Sequence, residues 1–87
     1  MNTQPYTYTY EQAFTYEVAR DLLNTYVADC SAEIGIEEAK PTPDMKRIEK
    51  IEAVQRAILL EREDMVMTDD AAMHAILAKY RRAPTQQ

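Results

Sequence analysis

The stretch FTYEVARDLLNTYVADCSAEIG, residues 14–35, decides the fold. Within it Phe14, Val18, Leu22, Tyr26, Cys30 and Ile34 recur at every fourth position. Apolar residues four apart stack on neighbouring helical turns, so the spacing predicts a long helix. Ala19, Leu23 and Val27 widen the ridge, and together these positions cover about 220° at 100° per residue. A face this wide predicts contact with two elements, or with one element and another chain, and so favours a homodimer. Upstream, Thr9 and Gln12 have the spacing of a capping box, which starts the helix at Tyr10. Gly35 suits a left-handed C-terminal turn, giving a predicted first helix over 10–35. The competing reading runs on to Lys40, where Pro41 has no N–H to continue the ladder.

Beyond that helix, Pro41-Thr42-Pro43-Asp44 reads as a linker. Thr42 suits an N-cap and Pro43 a first helical position, which predicts a second helix over 43–66. Its apolar face is Ile48, Ile51, Val54, Ile58, Leu59, Met65 and Val66. A third helix is predicted over 69–82, capped by Thr68 and buried through Met73, Ile76, Leu77 and Tyr80. Before the first helix, Tyr6-Thr7-Tyr8-Thr9-Tyr10 alternates strictly, which predicts an extended arm over 1–9. The expected fold is a single all-α domain: two long helices in an antiparallel hairpin, a short third helix and an extended N-terminal arm.

Composition points the same way. Only one of 87 residues is Gly. Phosphate-cradling loops and tight hairpins lean on Gly, so a nucleotide-binding loop and a β-rich fold are both disfavoured. Cys30 and His74 are the only Cys and His, which leaves no zinc spacing and no intramolecular disulfide. No metal and no cofactor is expected. The chain has no run of about 18 apolar residues and no signal-peptide pattern, so a soluble cytoplasmic protein without membrane attachment is expected.

The 15 acidic and 10 basic side chains give a formal net charge of −5. Residues 1–40 alone hold seven acids against Arg20 and Lys40, so the excess sits there. Asp29, Glu33, Glu37 and Glu38 crowd the end of the first helix, where acids oppose the macrodipole. Local energetics do not explain them. They form a candidate docking face for a basic protein partner, with Arg56 or Arg62 as an alternative partner inside the chain. Tyr6, Tyr8 and Tyr10 join the candidate site because Tyr is enriched at protein interfaces. Ile48, Ile51, Gln55, Ile58, Arg62 and Met65 can be written as a heptad seam. Gln55 and Arg62 then interrupt an apolar stripe, which marks Gln55, Arg62, Ile51 and Ile58 as candidate self-association residues. Nucleic acid is a disfavoured partner, because the third helix would present Asp69 and Asp70 to phosphate.

The order of long helix, Pro-containing linker, second helix and capped short helix resembles, mainly over residues 41–82, the small helical antitoxins that inhibit Fic-type enzymes. That family's inhibitory motif places Ser or Thr four residues before a Glu followed by Gly or Asn. Ser31-Ala32-Glu33-Ile34-Gly35 does not satisfy it. The resemblance implies an inhibitor-type binder. No nucleophile, base and metal set converges in the sequence, so a non-enzymatic inhibitor or regulator of another protein is expected. A homodimeric structural or regulatory module is the alternative reading, and a small transcriptional regulator ranks below it.

Overall fold

The computed structural model describes residues 8–81. These form three helices and no strand: α1 (Tyr10–Glu38), α2 (Met45–Glu63) and α3 (Asp70–Tyr80). The all-α class follows the sequence. The part of the expected arm before Tyr8, including Tyr6, lies outside the described residues.

The capping box forms as read. The Thr9 N–H donates to Gln12 Oε1 at 2.9 Å, and the Gln12 N–H donates to Thr9 Oγ1 at 3.0 Å. Both bonds satisfy backbone donors that a helix start leaves unpaired. The far end departs from the expected stop at Gly35. Gly35 does not take a positive φ, and α1 continues to Glu38. The chain then tightens: the Ala39 N–H reaches both Gly35 and Ile36 carbonyls, and Lys40 donates to the Glu37 carbonyl at 3.2 Å. Pro41 follows, and it disfavours helical backbone at Lys40 as well as lacking its own donor. Proline, rather than glycine, sets the end.

Gly35 is thereby a helical glycine in the last turn of α1, and a Cβ built on it meets nothing within 4 Å. Gly35→Ala is expected to raise stability by about 0.5–1 kcal/mol, because Ala loses less backbone freedom in a helix. A urea titration checks this, and a fall in midpoint would contradict the unstrained helical backbone.

The starts of α2 and α3 also shift from the expected caps. Asp44, not Thr42, caps α2, and its carboxylate accepts the Arg47 N–H at 3.1 Å. Asp69, not Thr68, caps α3, accepting the Ala72 N–H at 3.0 Å. In both cases the chain selects the anionic residue nearest the helix, which also complements the positive end of the dipole. At their far ends α2 stops at Glu63 rather than residue 66, and α3 at Tyr80 rather than residue 82.

The described residues fall into two compact units. The first contains residues 8–22 and 65–81, and the second residues 23–64. In the first unit, Ala19 of α1 and Met73 and Ile76 of α3 are buried. Gln12 Nε2 donates to Asp70 Oδ1 at 2.9 Å, joining the first turns of α1 and α3. In the second unit the buried residues are Leu23, Cys30, Ile48, Ile51, Ile58 and Glu37. Contacts within that unit pair Asn24 with Arg62, Val27 and Ser31 with Gln55, and Glu37 with Arg47. Numbers rise along α1 as they fall along α2, which is consistent with the expected antiparallel hairpin.

Candidate functional site

The predicted site residues separate into three groups. The heptad seam on α2 is occupied by α1 of the same chain. Gln55 Nε2 donates to the Val27 carbonyl at 3.0 Å and to Ser31 Oγ at 2.8 Å. Arg62 Nη1 donates to Asn24 Oδ1 at 2.6 Å. Ile51 and Ile58 are buried beside them on the same helix face. Gln55 and Arg62 thus bond to α1 of the same chain, beside the buried Ile51 and Ile58. Polar groups inside an apolar seam fix register when their hydrogen bonds are met, and here α1 supplies the acceptors.

The acidic cluster divides. Glu37 is 4% exposed and turns inward. Its Oε1 accepts from Lys40 Nζ at 2.9 Å and lies 3.4 Å from Arg47 Nε, and its Oε2 accepts the Asp44 N–H at 3.0 Å. The Lys40 hydrogen bond first, then the Asp44 amide, hold its carboxyl below the usual carboxylate range, against the opposing effect of burial. Glu37 thus ties the end of α1 to the linker and the start of α2, and leaves the docking face. For Glu33 and Glu37 the nearby arginine inside the chain is Arg47. Glu33 lies 3.7 Å from Arg47 Nη2 with both side chains more than half exposed. Asp29 and Glu38 are exposed.

The third group is aromatic. Tyr10 is 84% exposed and Phe14 61%. Tyr8, at the edge of the described residues, is also exposed, and Tyr6 lies beyond them. Phe14 was expected on the apolar ridge. Each i+4 step, however, turns about 40° round a helix, so six such positions sweep about 200°. Exposure falls along the row from Phe14 (61%) and Val18 (37%) to Cys30 (9%), and Ile34 beyond it is again partly exposed. The ridge winds from the outer surface into the core instead of marking one face.

Sequence reasoning did not single out a groove within the first unit. It is lined by Val18 and Leu22 of α1, by His74, Leu77 and Ala78 of α3, and by Arg81. A second depression continues from His74 and Asp70 to Phe14, Thr9 and Glu11. The signal was present in Val18 and Leu22, which were placed on the ridge, but α3 had to be seated before a groove existed. His74 Nδ1–H donates to the Asp70 carbonyl at 2.9 Å, while the Asp70 carboxylate accepts from Gln12. The two side chains therefore do not form an acid–base pair.

Among the described residues no group of three or more His, Cys, Asp or Glu could hold a metal ion. No helix among them is long and apolar enough to cross a membrane. Cys30 is buried, and burial, followed by the charges of Glu33 and Asp29, raises its thiol pKa, so it behaves as a small core residue. The chain matches no protein-family model, no curated protein and no solved structure. The outline resemblance to Fic-inhibiting antitoxins thus has no family match beside it.

Proposed function

We propose that this chain is a non-enzymatic, acidic helical protein that binds a partner protein with a basic surface and inhibits or regulates it. The observation carrying this reading is the exposed aromatic edge at the start of α1, where Tyr10 and Phe14 are 84% and 61% exposed and Tyr8 40%. Aromatic side chains offer large contact area at low rotamer cost, and leaving several in water favours a binding role. Asp29, Glu33 and Glu38 supply exposed negative charge on the later part of the same helix. The scaffold in this proposal is an antiparallel α1–α2 hairpin locked by Gln55, Arg62 and Glu37, with the tyrosine arm preceding it.

The test uses the partner that co-purifies with the chain from its native host. Asp29→Lys combined with Glu38→Lys avoids Glu33, which shares Arg47 with Glu37. The double reversal is expected to weaken binding by about tenfold or more at low salt, since like charges across an interface slow association and cost affinity. Calorimetric titration reads the affinity and circular dichroism checks the fold. Unchanged affinity in a folded variant would remove the acidic face from the proposal.

A further inference from the structure

We propose that the outer face of α2 is a self-association face, and that its occupant is α2 of a second copy running antiparallel. Lys46, Lys50, Ala53, Ala57, Leu60 and Asp64 recur at alternating steps of four and three, the spacing of a heptad seam. They run down one side of α2, with Asp64 at its C-cap, and all six are exposed. Ala57 lies about 160° round the helix from Gln55, which bonds to α1, so this second seam faces away from the first. Leu60 is 61% exposed within it, and Val54, 54% exposed, borders it. Apolar area left in water between charged ends marks an interaction site.

The charges say which occupant fits. Among the described residues, neither Lys46, Lys50 nor the Asp64 carboxylate has a hydrogen-bond or ion-pair partner. They also stand at the unfavourable ends of their own helix, since cations in its first turns and an anion at its C-cap oppose the macrodipole. Lys46 and Lys50, four apart, repel each other as well. The folding of one chain does not explain this arrangement. A partner helix of uniform charge would complement one end of the seam and meet the other with like charge. A second copy laid parallel would set lysine against lysine and Asp64 against Asp64. A second copy laid antiparallel complements both ends.

The register is specific. A two-fold axis perpendicular to the helices, level with the midpoint of Ala53 and Ala57, sets Lys46 against Asp64 of the second copy. Lys50 then faces Leu60 of the second copy, and Ala53 faces its Ala57; the same layers repeat on the other side of the axis. The alanines lack bulk at the centre, which lets the two helices approach to about 8 Å. The aliphatic stem of Lys50 covers Leu60 while its ammonium stays in water. An isologous contact of this kind closes on itself as a dimer. It uses no residue of the α1 surface proposed to bind a protein partner, and it needs no second protein.

Sedimentation velocity on the purified 87-residue chain tests it, with Lys46→Glu, Asp64→Lys and the two combined. The unmodified chain is expected to dimerise with rising concentration. Each single reversal is expected to raise the dimer Kd by about tenfold or more, because symmetry repeats the like-charge contact. The combined variant is expected to recover the dimer, since it exchanges the two ends without changing their pairing. Each reversal also gives its own helix a charge that suits the macrodipole, so the monomer is expected to melt no lower than the unmodified one. Lost dimer with an undiminished melt separates the contact from the fold, and circular dichroism verifies that each variant is helical. A chain that stays monomeric up to about millimolar concentration, near the weak end of specific association, overturns the proposal. So does a dimer that ignores the single reversals, or a combined variant no better than either. Because no other protein is present, failure here is distinct from failure of the partner-binding reading.

Discussion

Leu23→Ala is expected to lower stability by about 3–5 kcal/mol, while Phe14→Ala, nine residues earlier on the same helix, changes it by less than about 1 kcal/mol. Leu23 is fully buried and one of the two largest side chains in that state. Its truncation loses transfer free energy and leaves a cavity that close-packed neighbours cannot refill. Phe14 is 61% exposed, so Ala there removes surface that folding had not dried, and Ala has the better helix propensity. A chain of this length has a total stability of about 4–13 kcal/mol. The Leu23 variant therefore stands close to unfolding, with Tm lowered by roughly 10–30 °C. Urea titrations followed by circular dichroism compare the two variants, and an unchanged slope confirms that the native state rather than the denatured state was altered. Equal losses, or a larger loss at Phe14, would mean that the i+4 ridge packs as a single face.

That contrast also marks what periodicity can and cannot convey. The recurrence at Phe14, Val18, Leu22, Tyr26, Cys30 and Ile34 is a sound signal for a helix, because local hydrogen bonding and side-chain spacing depend on near neighbours. The same recurrence is a poor guide to burial, because a row at i+4 drifts round the helix. Its breadth reflected a surface that changes neighbours along its length. The capping box at Thr9 and Gln12 was legible for a related reason, since every atom in it lies within four residues. Gly35 shows the converse. Its freedom to turn left-handed was legible, but whether it uses that freedom depends on Pro41 and on the inward anchoring of Glu37, and neither acts at the glycine itself.

The seam on α2 was legible as an interface and illegible as to its partner. Ile48, Ile51, Gln55, Ile58 and Arg62 share one side of a helix, and that follows from spacing alone. Whether the facing helix belongs to the same chain or to another copy depends on how the linker returns. The acceptors that decide it, the Val27 carbonyl, Ser31 Oγ and Asn24 Oδ1, lie 24 to 38 positions away in sequence. None carries a charge that would have advertised the match.

Glu37→Gln is expected to lower the Tm at pH 7 by something on the order of 5–10 °C, and the gap from the unmodified protein is expected to close in acid. In the folded chain this buried carboxylate accepts from Lys40 Nζ and from the Asp44 N–H, with Arg47 Nε at 3.4 Å. Gln keeps the size but presents an N–H₂ group where an anionic oxygen met donors, so at least one donor loses its acceptor. The sign of the pH effect follows from the lowered pKa of Glu37. In the acid limb the unfolded carboxyl binds the proton more readily than the folded one, so protonation favours unfolding. The stabilisation is complete above the unfolded value, about 4.3, and is lost as the pH falls through the lower folded value. Gln has no such proton to take up. Thermal melts of both proteins between pH 7 and pH 2.5 should therefore converge toward the acid end, even though other carboxylates destabilise both. A gap that stays constant would mean that Glu37 acts through shape alone, and that its charge does not hold the linker.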